Sequence, residues 1–466
     1  MSEPVTFVER SARTLGSHGA AANLAGARRF TEMRDGAVAD YRPLEAMRDR
    51  ARQIRLHTLA NLDRYLEQFA DEVERLGGTV FFAADATEAV DHVRRIARDN
   101  GVERVIKSKS MISEEIGLNH ALEADGCRVV ETDLGEFIIQ IADDRPSHII
   151  APAIHRTAAD VGHLFADRLG VPFTDDADEL NRLARAHLRA EFLEADMGVS
   201  GVNFGVADTG SLCVVTNEGN GRLTTTAPRI HVALMGMERL VPDMADLAQM
   251  LEVLARSGTG QRLSVYTNII TGPRRPEDPD GPEQLHVVVL DNGRTRALSG
   301  ETAEILACIR CGACLNACPV YRAVGGHAYG DVYPGPIGAV LTPALFGLDP
   351  WGDLPYASTL CGACRDVCPV RIDIPRMLVA LRQEAAAAPS PPFGWLRPGL
   401  KLYTAVATRP SWWRWFLAIG SLLGRTLGRG GTIERLPFHA GGWTRYRSLR
   451  APARRSFRAW WSNRGA

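Results

Sequence analysis

The sequence predicts an α/β domain followed by a smaller, mainly helical module that is rich in cysteine. Between residues 66 and 295, short apolar runs alternate with amphipathic segments of helical length, a pattern typical of a parallel sheet covered by helices. Seven of the nine cysteines then fall in two clusters between Cys308 and Cys368. A chain of 466 residues is also too long for one ordinary core, so we expect more than one domain.

The first half of the α/β region contains most of the clearly predicted elements. Its apolar runs indicate strands at residues 76–85, 102–110, 127–133 and 146–154, and its amphipathic segments indicate helices at residues 86–101 and 113–126. Ser113 is the predicted N-cap of the second helix, which we expect to end at Gly126. The same alternation continues from residue 198 to residue 294, interrupted by a Pro- and Asp-rich loop at residues 272–284.

The remaining regions complete the predicted domain organisation. The predicted parts are an N-terminal helical segment (1–65), the α/β domain (66–295), the cysteine module (296–385), and a linker with a basic tail (386–466). Within the cysteine module we expect the first three cysteines at the end of a helix and a helix over residues 374–387. The Gly- and Pro-rich stretch between the two cysteine clusters, residues 325–353, is predicted to be a packed loop.

The first cysteine cluster has the spacing of a bacterial ferredoxin. From Cys308 to Pro319 it reads C-x2-C-x2-C-x3-C-P, in which three close thiolates bind one iron–sulfur cluster and the fourth binds its neighbour. Zinc is the alternative, but zinc sites usually combine two separate C-x2-C pairs. The spacing therefore favours iron–sulfur chemistry over zinc.

The second cysteine cluster is one cysteine shorter than the first. Alignment on the Cys-Pro pairs places Ser358 where the first cluster has Cys308. Crossed ligation then predicts two sets of metal ligands, namely Cys308, Cys311, Cys314 and Cys368 for the first iron–sulfur cluster and Cys318, Cys361 and Cys364 for the second. The first set predicts a [4Fe–4S] cluster. The second predicts either [3Fe–4S], or [4Fe–4S] with a fourth ligand from Ser358, another side chain, a partner or water.

Charge and aromatic residues concentrate at the C-terminus. The net charge is −1, yet from Ser390 onward thirteen Arg and one Lys stand against a single acid, Glu434, and this segment holds seven of the eight Trp. We interpret the tail as a contact surface for a partner subunit or an anionic membrane, with a partly disordered, solvated terminus as the alternative. We expect no nucleic-acid partner, because no recognised binding module accompanies the charge.

The N-terminus shows no signal-peptide pattern, and no apolar run approaches the roughly 18 residues that a membrane span requires. We therefore expect a cytoplasmic protein, with peripheral contact at the inner face of the membrane through the tail as a further expectation.

Two glycine-rich turns in the α/β domain are predicted to bind a small anion. They lie at predicted strand ends, where open α/β sheets place their ligands, and their backbone amides suit a carboxylate or phosphate. The candidate residues of these turns are Gly205, Asp208, Thr209, Gly210 and Arg222. A plain tight turn is the alternative for each, and no G-x-G-x-x-G follows a strand, so we predict no dinucleotide site.

Other polar residues of the α/β domain carry weaker predictions. Lys107 and Lys109 alternate at a strand end, where they either pair with a carboxylate or face solvent. Acid–base chemistry competes with a plain surface or turn position for Glu136 and Glu218. The residues interpreted as structural are His148, His155, Cys127 and Cys213.

Several motifs together resemble one known family. They are VIKSKSMISEEIGLN (105–119), ETDLGEFIIQ (131–140), PSHIIAPAIHRT (146–157), GVADTGSLCVVTNEGNGR (205–222) and CIRCGACLNACPVYRAVGGHAYG (308–330). This combination is similar to the lactate utilization protein B family, the iron–sulfur subunit of a three-component bacterial system that oxidises L-lactate to pyruvate. The resemblance runs from about residue 10 to the tail. It implies an α/β domain like that of ribose-5-phosphate isomerases and CoA transferases, followed by an α-helical ferredoxin domain with two iron–sulfur clusters. It also implies the other subunits of the system as partners.

Two classes of function follow for testing. The first is an electron-transfer subunit of an oxidoreductase acting on L-lactate, with an electron acceptor that the sequence does not identify. The second is a non-redox enzyme, an isomerase- or transferase-like α/β domain in which the clusters stabilise or sense.

Overall fold

The computed structural model describes residues 5–39, 41–388, 392, 394, 396–428, 430–444, 447–453 and 457–464. The chain forms two compact units, Met1–Ala388 and Pro389–Ala466. The predicted α/β domain and the cysteine module therefore share the first unit, and the basic tail makes up the second.

Helices account for most of the regular structure. In chain order the α-helices are α1 Phe7–Thr14, α2 His18–Ala39, α3 Leu44–Ala60, α4 Leu62–Arg75, α5 Ala86–Asp99, α6 Met111–Glu115, α7 Leu118–Ala124, α8 Leu134–Ile141, α9 Ala158–Leu169, α10 Ala177–Glu194, α11 Asn220–Thr226, α12 Met244–Thr259, α13 Arg294–Leu298, α14 Ala313–Ala317, α15 Pro319–Val324, α16 Gly335–Phe346, α17 Leu348–Trp351, α18 Ala363–Asp366, α19 Ile374–Ala387, α20 Leu396–Ala407, α21 Pro410–Leu427 and α22 Phe457–Ser462. Short 3-10 helices lie at Met237–Arg239, Ala303–Ala307, His327–Tyr329, Leu354–Tyr356 and Phe438–Thr444.

The strands form two sheets in the first unit and one hairpin in the second. They are β1 Thr79–Ala83, β2 Arg104–Lys107, β3 Arg128–Glu131, β4 Met197–Gly201, β5 Phe204–Val206, β6 Ser211–Thr216, β7 Ile230–Gly236, β8 Leu240–Val241, β9 Tyr266–Ile270, β10 Gln284–Leu290, β11 Thr432–Ile433 and β12 Leu449–Arg450. The larger sheet has the order β1-β10-β7-β4-β2-β3, and all of its neighbours run parallel. The smaller sheet has the order β8-β5-β6-β9 and is mainly antiparallel.

The larger sheet lies at the centre of the α/β region, and apolar side chains pack against both of its faces. Along β7 the side chains of Ile230, Val232 and Leu234 belong to one apolar cluster, and those of Ala233 and Met235 to another. This alternation follows from the two-residue period of a strand, and every residue of β7 is buried. The parallel sheet predicted from the alternating elements is therefore present.

The N-terminal helices pack against the cysteine module. Arg48 of α3 donates from Nε to the carbonyl of Cys368 at 3.0 Å. The fully buried Arg55 donates from Nη1 to the carbonyl of Leu240 at 2.6 Å and from Nη2 to that of Leu306 at 3.1 Å. A buried guanidinium needs such acceptors. These bonds therefore position α3 against the smaller sheet and against the 3-10 helix that precedes Cys308.

Two predicted elements of the first half differ in the structure. The predicted helix at 113–126 is two short helices, α6 and α7, because Gly117 between them has a left-handed φ of 64°. Its N-cap is Ser110, which accepts from the N–H of Ser113, and not Ser113 itself. The predicted strand at 146–154 is a series of turns, in which the ring of His148 accepts from the N–H groups of Ile150 and Ala151. Those donors are then unavailable for a strand ladder.

The predicted packed loop at 325–353 is also wrong, because most of it is helical. It contains α16, whose residues are all buried except the last, Phe346. Gly and Pro at four of its positions did not prevent a helix that is apolar on every side, since burial among other elements stabilises it. By contrast, α19 at Ile374–Ala387 agrees with the helix predicted at 374–387.

A buried ion network joins the carboxyl edge of the larger sheet to the cysteine module. Arg294 of α13 donates to Glu115 from Nη2 and to Glu238 from Nε, each at 2.8 Å. Glu238 also accepts from Nη2 of Arg310 at 3.3 Å, and Glu115 accepts from the hydroxyl of Tyr333. Burial would raise the pKa of Glu238, but the guanidinium groups, Arg294 first, outweigh it and hold the pKa at about 2.

Replacing Arg294 by Met should destabilise the protein by about 3–5 kcal/mol, because the change leaves the buried Glu115 without its cation and leaves the buried Glu238 with Arg310 as its ion-pair partner. The measurement is the denaturant midpoint of the anaerobically purified protein. The control is Arg182→Met, since Arg182 pairs with Glu179 on the surface with 72% of its side chain exposed, and an exposed pair contributes at most about 1 kcal/mol. Equal midpoint shifts in the two variants would contradict a central role for the network.

Candidate iron–sulfur centres and an adjoining cavity

The first cysteine loop is shaped by two left-handed residues. Cys308 follows the 3-10 helix Ala303–Ala307, and Arg310 (φ 59°) and Gly312 (φ 76°) flank Cys311. The loop turns sharply there, and α14 begins at Ala313. The prediction that all three cysteines end a helix is therefore wrong in detail, because only Cys308 directly follows helical residues and Cys314 lies within α14.

The second loop repeats this backbone. Leu360 (φ 55°) and Gly362 (φ 87°) flank Cys361, and α18 begins at Ala363. In the first loop the sulfur of Cys308 accepts from the N–H two residues later at 3.3 Å, and in the second loop Oγ of Ser358 does so at 3.1 Å. Ser358 thus occupies the position that the alignment assigned to it, with an oxygen where the first loop has a sulfur.

The cysteines of the two loops are interleaved. Burial, then the neighbouring thiols of Cys368 and Cys308, raises the pKa of Cys311. Burial, then Cys318 and later Cys361, raises the pKa of Cys364 to about 12. Cys311 of the first motif thus lies near Cys368 of the second motif. Cys364 of the second motif likewise lies near Cys318 of the first.

The two groups also meet. Burial raises the pKa of Cys314 well above its usual value, and its neighbouring thiols include Cys308 and Cys311 of its own group and Cys364 of the other. The seven cysteines of the two motifs therefore lie near one another, with Cys314 and Cys364 as neighbours across them, and their division into two ligand sets stays a prediction.

The spacing of the sulfurs fits a group larger than one ion. Tetrahedral zinc with Zn–S of about 2.3 Å would hold its sulfurs about 3.8 Å apart. Among the described His, Cys, Asp and Glu residues, one group of three has ligand atoms that all lie within 4.8 Å of one another. Asp144, His155 and His327 form this group. No three cysteine sulfurs of the described residues lie that close to one another. A small cavity among them is lined by the cysteines of the first set, Cys308, Cys311, Cys314 and Cys368.

The surroundings of the sulfurs also suit an iron–sulfur cluster. Backbone N–H groups of Tyr321 and Ile372 donate to the sulfurs of Cys318 and Cys368 at 3.5 and 3.4 Å. Such bonds stabilise the negative charge of a thiolate-bound cluster and tune its potential. Apart from Arg310, the rest of this small cavity is lined mainly by apolar residues, Ile149 and Ile337 among them.

A larger cavity, about 350 Å³ in volume, adjoins the first loop. It opens at the carboxyl edge of the parallel sheet, between segments that follow β2, β4 and β7, which is where open α/β sheets bind ligands. Residues 108–112 and 201–203 line one part, and residues 214–218, 220 and 221 line another. Arg310 and Cys311 form the wall shared with the first cysteine set.

Charged groups of both signs line this cavity. Lys109 is half-buried and donates from Nζ to the carbonyl of Ile150 at 2.9 Å. Glu218 is exposed as a residue, but protein atoms around its carboxyl group and then Asp133 raise its pKa to about 7. Burial, and then the nearby Arg310, lowers the pKa of Arg239 to about 10.

The two turns predicted to bind an anion lie at opposite ends of β6. Six residues of strand separate them, which corresponds to about 17 Å. At one end Gly210 (φ 62°) packs against the backbone of Glu72 and Val73 in α4, and Gly205 packs against Phe69. Asp208 and Thr209 share this hairpin, and neither lines the cavity.

At the other end of β6, Asn217, Glu218, Asn220 and Gly221 do line the cavity, whereas Arg222 is exposed and does not. The structure therefore does not combine Gly205, Asp208, Thr209, Gly210 and Arg222 into one site. Sequence reasoning missed several cavity-lining residues, among them Glu238, Arg239 and Arg310, and the last of these lies between two cysteines in the sequence.

The two lysines of the first motif have different surroundings. Lys107 is fully buried and donates to Glu131 at 2.6 Å, so for this residue carboxylate pairing is confirmed and solvent exposure is wrong. Lys109 lies in the cavity wall instead. Glu136 is buried in α8 outside the cavity lining, and burial, followed by Glu131, raises its pKa well above the usual value.

The histidines interpreted as structural have protein partners. His148 is buried and its Nε2 lies 3.0 Å from Oδ1 of Asn316, which agrees with that interpretation. His155 lies 3.0 Å from Asp144, which also pairs with Arg156 at 2.6 Å.

The two remaining cysteines lie apart from the loops. Cys213 is fully buried in β6, as expected for a structural thiol. Cys127 is half-buried, and its sulfur donates to the carbonyl of Val102 at 3.4 Å.

Known families match three successive parts of the chain. The sequence model of the LUD domain matches residues 66–290, that of the 4Fe-4S dicluster domain matches residues 304–372, and that of the C-terminal region of lactate utilisation protein B matches residues 398–466. With the parallel sheet and the interleaved cysteines, they define an iron–sulfur protein built from an α/β LUD domain and a 4Fe-4S dicluster domain.

Full-length relatives identify the family. A lactate utilization protein B from Bacillus licheniformis is 46% identical over 90% of this chain and 88% of its own. One from Bacillus pumilus is 44% identical over 94% and 92%, and one from Macrococcus caseolyticus is 51% identical over 73% and 71%. The chain belongs to the lactate utilization protein B family. A solved DUF162 family protein from Deinococcus radiodurans matches 49% of this chain at 14% identity with a TM-score of 0.28.

Replacing Ser358 by Cys should stabilise the second cluster as [4Fe–4S], because the loop backbone there repeats that around Cys308. The measurement is electron paramagnetic resonance with an iron count, before and after exposure to air. We expect an oxidised [3Fe–4S] signal in the air-exposed parent and none in Ser358→Cys. The exposed Ser299→Cys variant should behave as the parent. Two indistinguishable, air-stable [4Fe–4S] clusters in the parent would show that a fourth ligand already exists.

Proposed function

We propose that this protein is the iron–sulfur electron-transfer subunit of a multi-component system that oxidises L-lactate to pyruvate. The observation that carries the proposal is the pair of interleaved cysteine sets, which meet where Cys314 neighbours Cys364. Family membership supplies the substrate, because the relatives are named lactate utilization proteins. Oxidation of lactate releases two electrons, and two adjacent one-electron carriers provide a short path for them.

The ligand sets are part of this proposal. Cys308, Cys311, Cys314 and Cys368 would hold one [4Fe–4S] cluster, and Cys318, Cys361 and Cys364 would hold a second cluster, [4Fe–4S] or [3Fe–4S]. When bound, the clusters supply one-electron redox chemistry. The chain's own residues bind the iron, donate N–H groups to the sulfurs and exclude water, and these contributions tune the potential of each cluster.

The fold of the LUD domain leaves a second function open to test. We propose that it shares the α/β fold of ribose-5-phosphate isomerases and CoA transferases, and the cavity at the carboxyl edge of its sheet is the observation that favours a non-redox enzyme. In that case the clusters would stabilise or sense, and lactate would leave their redox state unchanged.

Adding L-lactate to the protein together with its partner subunits should bleach the brown iron–sulfur absorbance, because electrons from lactate reduce the clusters. The measurement is anaerobic visible spectroscopy, with reoxidation by an added acceptor. Cys127→Ala is the matched control, since this thiol lies outside both loops and the variant should bleach as the parent does.

Cys318→Ala removes a proposed ligand of the second cluster, and we expect it to bleach partially and to pass fewer electrons to the acceptor. A fully assembled system whose absorbance stays unchanged with lactate would overturn the electron-transfer function and favour the non-redox enzyme.

The basic tail offers a docking surface. In the second unit, α21 carries exposed Trp412, Trp415 and Leu422 beside Arg414 and Arg425. Among the described residues, no helix is both long enough and apolar enough to cross a membrane. On the basis of these exposed cations and tryptophans, we propose that the tail binds an acidic surface on a partner subunit in the cytoplasm, with an anionic membrane surface as the alternative.

A chain that ends at Ala388 should keep its iron and lose salt-sensitive association with the partner subunits. The basis is that the tail forms a separate compact unit and that exposed charges are screened within about 8 Å at physiological ionic strength. The measurement is analytical ultracentrifugation at low and high salt, with anionic vesicles in a parallel sample. Loss of vesicle binding with partner binding intact would favour the membrane, and loss of iron would show that the tail supports the core.

A further inference from the structure

The cavity at the carboxyl edge of the larger sheet is not needed by the proposed electron path. That path requires only the two cysteine sets, whereas the cavity extends away from Cys311 towards the ends of β2, β4 and β6. Its volume of about 350 Å³ is that of sites which enclose small molecules. Its occupant is therefore a separate question.

The lining combines an apolar wall with a few polar groups. Met111, Val202, Val214 and Leu254 supply apolar surface, and Arg310 supplies a guanidinium group at the wall shared with the cysteine loop. This mixture is typical of sites that bind an organic molecule through one charged group and its carbon skeleton.

Arg310 has a donor to spare. The residue is only 7% exposed, its Nη2 donates to Glu238 at 3.3 Å, and its Nη1 has no hydrogen-bond partner among the described residues. A buried N–H group without an acceptor is unfavourable. Lys109 likewise uses one of three ammonium hydrogens, on the carbonyl of Ile150. Both cations can therefore bond an anion in the cavity.

The charges in the cavity wall indicate how much negative charge the ligand carries. Three cations and three acids line it, namely Lys109, Arg239, Arg310, Asp133, Glu218 and Glu238. Glu218, whose pKa is raised to about 7, is partly protonated near neutral pH. The lining is therefore close to neutral or slightly positive, which suits a monoanion better than a dianion such as hydrogen phosphate.

We infer that this cavity binds a small organic monocarboxylate, whose carboxylate accepts hydrogen bonds from Arg310 and Lys109 and whose carbon chain contacts the apolar wall. The inference concerns binding alone and does not require the electron-transfer function proposed above.

The position of Arg310 links this site to the first cysteine set. The guanidinium lies beside the thiol of Cys308, and the residue also lines the cavity. An anion bound to Arg310 would add negative charge near the first cluster and disfavour its reduction. Binding of the carboxylate should therefore lower the reduction potential of that cluster.

The test is calorimetric titration of the anaerobically purified, full-length protein with L-lactate and with pyruvate. Lactamide, the neutral analogue, and inorganic phosphate are titrated in parallel. We expect saturable binding of the two carboxylates and none of lactamide, with phosphate weaker than either. The potential of the first cluster, followed by electron paramagnetic resonance, should fall when the carboxylate is present.

Two variants and one matched control assign the residues. Arg310→Gln should weaken carboxylate binding about tenfold or more, the effect of losing a charge-assisted hydrogen bond. Lys109→Met should also weaken it, and its fold is at little risk, because its side chain bonds only one carbonyl oxygen. Arg34→Gln is the control, since Arg34 lies near Cys311 but outside the cavity lining, so it should alter the cluster potential without altering binding.

The outcomes separate this inference from the proposed function. Unchanged binding in both Lys109→Met and an iron-loaded Arg310→Gln, equal binding of lactamide, or tighter binding of phosphate would each overturn the inference. Absence of carboxylate binding, with lactate-dependent bleaching intact in the assembled system, would overturn the inference and leave the electron-transfer function standing. Carboxylate binding without lactate-dependent bleaching would overturn the electron-transfer function and leave this inference standing.

Discussion

The buried carboxylate of Glu238 forms ion pairs with both parts of the first unit, through Arg294 of the α/β region and Arg310 of the cysteine module. It follows β7, the fully buried strand of the larger sheet, and it is itself buried between Arg294 and Arg310. A buried charge is tolerated only when it is paired, so neither the sheet edge nor the first cysteine loop can shift without exposing an uncompensated ion. The cavity wall and the first cysteine set therefore share one electrostatic anchor.

This anchor explains why the α/β region and the cysteine module form one body. The apolar cluster around the cysteines includes Met250 and Val253 of α12 and Ile54 of α3, elements from outside the cysteine module. Together with the ion network, this shared core gives the loops a rigid setting. Rigid surroundings keep the ligand sulfurs in place, which limits the rearrangement that accompanies each change of charge.

Sequence reasoning found features that depend on local spacing and missed those that depend on packing. The positions of the cysteines and the equivalence of Ser358 and Cys308 follow from a motif, because a loop of fixed geometry needs fixed spacing. The helix α16 was missed because its Gly and Pro residues signal a loop, and only burial by the surrounding elements overrides that preference. Lys109 and one of the predicted turns line the cavity, but the cavity as a whole was missed, since its residues come from positions 30 to 333 and meet only through the topology of the sheets. The role of Arg310 in the cavity could not be predicted, because the sequence around it is explained by the cysteine motif alone.

The contacts of helix α3 have a consequence for the order of assembly in the cell. Arg48 bonds the carbonyl of Cys368, 320 positions later in the chain, and Arg55 bonds that of Leu306, 251 positions later. At a synthesis rate of about 5–20 residues per second, the ribosome needs roughly 15–65 s to add the acceptor of Arg48. During that interval α3 lacks its final partner, and the first cysteine loop emerges before Cys368 exists. If Cys368 completes the first ligand set as proposed, that set is complete only when α3 gains this partner, and insertion of the first cluster would then come late in maturation.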